Sequence, residues 1–109
     1  MFFVIQPFKL KKIFSQYPET NILIEGHTDN VGTAPYNLSL SQRRAGAVGD
    51  FLKANSIPSG RLTIKWYGET QPKVDNASDA NRAANRRVEF AITANEKMKA
   101  EAKQAAQKN

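Results

Sequence analysis

Cysteine is absent from this chain of 109 residues, which removes disulfides, thiolate metal sites and cysteine nucleophiles. The absence does not name a compartment, because a domain with an adequate core needs no disulfide even in an oxidising one. Histidine occurs once, so no multi-histidine metal centre can be built within one chain; neither a metal nor a cofactor is expected. No apolar run approaches the ~20 residues of a membrane helix, so no membrane span is expected. Acidic residues are the minority, ten against sixteen Lys+Arg, for a net charge of +6. That surplus suits nucleic acid, anionic lipid or an acidic polymer, and it serves plain solubility as well. Hydrophobic residues at 40% and charged residues at 24% are ordinary globular usage, which excludes wholesale disorder and fibres.

The start, Met1-Phe2-Phe3-Val4-Ile5-Gln6-Pro7, is apolar but short and has no basic region, so it does not read as a signal peptide. After Pro7 the spacing of Leu10, Ile13, Phe14 and Tyr17 predicts a first helix, ended by Pro18. Asn21-Ile22-Leu23-Ile24-Glu25 reads as a buried strand stopped by Gly26. A polar loop to Pro35 follows, then a helix over 38–54 with Asn37 or Ser39 as its cap. Leu62 to Tyr67 alternates, placing Leu62, Ile64 and Trp66 on one face and Trp66 in the core. A polar loop from Gly68, a short helix at Asp79–Asn85 and a last strand at Val88–Ile92 complete the order. This order predicts an α/β sandwich, one sheet with helices packed on it. Residues 1–94 form the domain, and the Ala/Lys-rich residues 95–109 form a tail of marginal helix.

Arg44 is out of place on the second helix. At about 100° per residue, with Val48 at zero, it falls near −40°, inside the arc of Ser41, Ala45 and Leu52. Arg43 falls near −140° and faces solvent. A guanidinium directed at the sheet needs a carboxylate or a ligand. Asp29, just beyond the C-terminal end of the first buried strand, is the best-placed carboxylate. Two readings stand: Asp29 and Arg44 pair with each other, or they flank a ligand. A carboxylate and a guanidinium together suit a zwitterion, with its ammonium on Asp29 and its carboxylate on Arg44. His27 lacks a nucleophile and an aligned acid, so a structural role is expected for it rather than catalysis.

Several motifs carry a resemblance: Ile24-Glu25-Gly26-His27-Thr28-Asp29, then Tyr36-Asn37-Leu38-Ser39-Leu40-Ser41-Gln42-Arg43-Arg44-Ala45. Arg61-Leu62, Tyr67-Gly68-Glu69 and Asn85-Arg86-Arg87-Val88-Glu89-Phe90 follow in order. Over about residues 10–94 the chain resembles the OmpA-like peptidoglycan-binding domain shared by outer-membrane protein A, the peptidoglycan-associated lipoprotein and MotB. The resemblance implies a mixed sheet of βαβαβ type and no enzymatic activity. It implies non-covalent binding of the peptidoglycan peptide stem, which tethers an envelope protein to the cell wall in the periplasm at the outer membrane. Asp29 would receive the ammonium of the stem's diaminopimelate and Arg44 its carboxylate. Asn37 and Leu40 would lie beside the ligand, with Thr28 and Asn30 in the loop and Arg86 near the site.

The family's opening strand, with its Phe-Asp pair, has no full counterpart before the first helix. An N-terminally truncated member is therefore expected, its first strand missing or replaced by Phe2–Ile5. An uncovered sheet edge would invite exchange of that apolar segment between two copies, giving a homodimer; the alternative is that the segment folds back on its own chain. A basic nucleic-acid-binding domain is the competing function. No signature of an RNA-recognition module, helix-turn-helix or zinc finger supports it, and no nucleic-acid partner is expected.

Overall fold

The computed structural model describes residues 2–3, 16 and 19–94. Its elements run β1 (Phe2–Phe3), β2 (Thr20–His27), α1 (Ala34–Ala54), β3 (Leu62–Trp66), α2 (Asp79–Asn85) and β4 (Arg87–Ala94), with a 3-10 turn at Ser59–Arg61. The four strands form one mixed sheet in the order β1-β4-β2-β3. β2 is parallel to β3, with Ile24 opposite Ile64, and antiparallel to β4, with Ile24 opposite Phe90. The predicted α/β architecture is therefore the observed one. Of the predicted first helix only Gln16 is described; it is helical and exposed. The rest of that helix and the tail lie outside the described residues.

The core lies between α1 and one face of the sheet. Ile22, Ile24 and Phe90 come from the strands, Ala45 and Leu52 from the helix, and Ile57 from the turn after it, all buried. Val48, Leu62, Ile64, Val88 and Ile92 pack around them. Each large apolar side chain buried there contributes roughly 1.5–3 kcal/mol. Ser41, Ala45 and Leu52 are buried as the wheel requires, Arg43 is exposed and Arg44 is half-buried.

Three local expectations are corrected, and the expected replacement of the first strand is located. Gly26 does not stop the strand, because β2 continues through His27. Gly26 lies under α1, where an added Cβ would sit 2.2 Å from the Ser41 carbonyl oxygen; the glycine is a point of close approach. α1 starts at Ala34, earlier than expected, and its cap is Thr33 rather than Asn37 or Ser39. The Thr33 hydroxyl accepts from the Tyr36 N–H at 3.3 Å, and Pro35 fits the first turn, where a missing N–H costs nothing. Trp66 is 38% exposed rather than core, since it ends a strand at the edge of the sheet. Finally, Phe2 and Phe3 supply a short edge strand, pairing antiparallel with Ala91 and Phe90 of their own chain.

Candidate functional site

The loop after β2 is held from three directions. The Thr28 N–H donates to the Gly68 carbonyl at 2.9 Å, and the Gly68 N–H donates to the Ser41 hydroxyl at 2.9 Å. These bonds tie the loop to the chain after β3 and to α1. Gly68 has φ of 59° and lies so close to Leu38 and Asn37 that an added Cβ would be 3.1 Å from the Leu38 nitrogen. Only glycine meets both demands without strain. The third tie is Asn37, which is 1% exposed. Its amide nitrogen donates to the carbonyls of Asp29 at 3.2 Å and Val31 at 3.1 Å, and to Glu69 Oε1 at 3.3 Å.

Asp29 is the centre of this loop. Its side chain is only 10% exposed. Oδ1 accepts from the Val31 N–H at 3.0 Å, and Oδ2 accepts from Arg86 Nη1 at 2.7 Å. Burial pushes the carboxyl up. The hydrogen bonds from Arg86 and Val31, with the charges of Arg86 and Arg82, outweigh burial and hold it below its ordinary 3.8. Asp29 is thus a buried, ionised, oriented carboxylate.

Its partner corrects one of the two readings of Arg44. Asp29 pairs with Arg86, 57 residues away, and not with Arg44. Among the described residues Arg44 makes no ion pair or hydrogen bond, although it is half-buried. Thr28 is buried, and its hydroxyl donates to the Asp29 carbonyl at 2.8 Å. Asn30 is exposed and Leu40 half-buried. Asn85, fully buried, anchors Arg86: its Oδ1 accepts from the N–H groups of Lys73 and Val74, and its Nδ2 donates to the Val74 carbonyl at 2.8 Å. The Asn-Arg-Arg run is therefore a clamp for the preceding loop and a bearing for Arg86, rather than surface charge.

Sequence reasoning missed Glu69, Ser41 as a hydrogen-bonding group, and the Asp29–Arg86 pair. The Gly68-Glu69 dipeptide was the visible signal for the first. On the sheet face away from α1, His27 is buried against Tyr67, with ring centres 5.3 Å apart. Burial and the nearby Arg87 charge push the imidazole below its ordinary 6.5, against the pull of Glu89 and Glu25. Neither ring nitrogen has a hydrogen-bond partner among the described residues.

The fold is that of a known domain class, and the OmpA family matches residues 7–86. The chain belongs to that family. It is 46% identical over 85 residues to outer membrane porin F of Pseudomonas fluorescens, a match covering 78% of this chain and 26% of the porin. The chain thus spans about a quarter of that relative's length. Its fold matches the crystal structure of the peptidoglycan-associated lipoprotein from Burkholderia pseudomallei with a TM-score of 0.75 and 30% identity, over 80% of this chain and 74% of that one. It also matches the cell wall anchor of the T6SS from Pseudomonas aeruginosa, with a TM-score of 0.71 and 35% identity, over 83% of this chain and 64% of that one.

Proposed function

We propose that this domain binds peptidoglycan non-covalently, recognises the diaminopimelate of the peptide stem, and so tethers an envelope protein to the cell wall from the periplasm. The observation that carries the reading is a prepared anion just beyond β2, in a chain that also offers an unpaired cation on α1. Asp29 is buried, ionised and oriented, while the half-buried Arg44 has no partner among the described residues. A carboxylate offers about four lone-pair positions, and Val31 and Arg86 use two. An ammonium can therefore join Asp29 without expelling Arg86. Arg44 then takes the ligand's carboxylate in a two-pronged pair. Asn37 and Leu40 flank this zwitterion, Thr28 and Asn30 shape the loop beside it, and Arg86 steadies Asp29 from behind. One of the similar proteins is named for its association with peptidoglycan and another is named a cell wall anchor, and the peptidoglycan stem presents such a head group.

Co-sedimentation with purified cell-wall sacculi tests this. Asp29→Asn keeps the size of the side chain and an oxygen for the Val31 N–H, but loses the charge. Losing that charge-assisted contact costs about 1.5–3 kcal/mol of binding, so the variant should remain in the supernatant where the wild type pellets. Equal pelleting of both would reject Asp29 as the ammonium site.

A further inference from the structure

Glu69 lies beyond the residues assigned to the ligand, yet it touches one of them. Its Oε1 is the third acceptor around the Asn37 amide nitrogen, at 3.3 Å, beside the Asp29 and Val31 carbonyls at 3.2 and 3.1 Å. An amide group has two hydrogens, and here three acceptors surround them. Turning the amide over would set its oxygen against all three. Asn37 is 1% exposed, so water cannot relieve that conflict. The amide therefore has one orientation. Two of its acceptors belong to the Asp29 loop itself. The third, Glu69, comes from the chain after β3 and closes the fork from the other side. The first turn of α1 contains no acidic residue, so the Glu69 carboxylate also supplies negative charge where the helix dipole favours it. With the nitrogen so held, Asn37 Oδ1 accepts no hydrogen bond among the described residues.

We infer that Glu69 is a positioning residue of the ligand site. Its carboxylate fixes the Asn37 amide, which keeps the Asp29 loop, and with it the Asp29 carboxylate, in shape for the ligand. The inference rests on the peptidoglycan reading above, and the test separates the two.

Sacculus co-sedimentation and thermal melting are measured on the wild type, Glu69→Ala, Glu69→Gln and Asp29→Asn. Glu69→Ala should melt cooperatively and bind about tenfold more weakly. Glu69→Gln retains an acceptor oxygen for Asn37 and should bind within about threefold of the wild type. Wild-type binding by Glu69→Ala, with Asp29→Asn defective, would overturn the inference and leave the peptidoglycan reading standing. Wild-type binding by Asp29→Asn would overturn that reading, and the inference with it. A glutamine variant as weak as the alanine variant would assign the effect to charge rather than positioning and would also overturn the inference. So would loss of cooperative melting in Glu69→Ala, which would make the residue a folding determinant.

Discussion

Arg43 and Arg44 are chain neighbours in different surroundings, one exposed and one half-buried. Lysine keeps the charge of either but not the planar two-pronged geometry. Arg44→Lys should therefore weaken sacculus binding several-fold, and Arg43→Lys should leave it unchanged; equal effects would contradict the helix assignment. Two other residues set the response to acid. His27 has its folded pKa below the unfolded 6.5, so the unfolded chain takes up protons first. The stability tied to it is complete above about 6.5 and is lost as pH falls from there through the lowered folded value. Asp29 behaves likewise below its unfolded 3.8. Tyr67, which stacks on His27, has its phenol pushed up by a hydrogen bond with Glu25 and by burial, so it stays neutral throughout. The melting temperature of the wild type should fall between about pH 7 and pH 5, whereas His27→Phe, which keeps the stacking ring, should stay nearly flat there. Parallel curves for the two proteins would count against His27 as the origin.

At the scale of elements, two glycines make a matched experiment. Gly26 in β2 faces the Ser41 carbonyl oxygen, only 2.2 Å from where a Cβ would stand, whereas Gly46 in α1 has nothing among the described residues within 4 Å of that position. Gly26→Ala must push α1 off the sheet and should destabilise by several kcal/mol or prevent folding. Gly46→Ala should stabilise by up to about 1 kcal/mol through helix propensity. Chemical denaturation measures both, and a tolerated Gly26→Ala would refute the close approach. Gly26 also shows what the sequence made legible. The run Asn21–Glu25 announced β2, and the apolar arc of α1 placed Arg44, because both follow local periodicity. A glycine at the end of an apolar run, however, reads alike as a terminator and as a contact point. Only the neighbouring helix decides between them. The Asp29–Arg86 pair joins residues 57 apart, and no spacing rule reaches across three intervening elements. Glu69 was hidden for the same reason: it acts through Asn37, 32 residues away. The Thr33 cap is hidden in the sequence because Pro35 reads as loop punctuation rather than as the first turn of a helix.

At the scale of the whole molecule, β1 is two residues long and pairs with β4 of its own chain, so the fold-back arrangement accounts for the edge strand without a second copy. Exchange between two copies would make the same pairs. Light scattering over a concentration series should give the mass of one 12.1 kDa chain; a mass that rises with concentration and no longer does so when residues 1–6 are removed would establish exchange. The site needs one chain only. Asp29 stands beyond the end of β2, Arg44 on α1 and Arg86 between α2 and β4. The measurement closest to the central claim is sacculus co-sedimentation of the wild type with increasing free diaminopimelate, beside the same series with added salt. A zwitterion site predicts release by the free amino acid at constant ionic strength, and no pelleting of Asp29→Asn at any concentration used. Pelleting that ignores diaminopimelate and falls only with salt would mean that the +6 surplus, and not the Asp29 site, binds the wall.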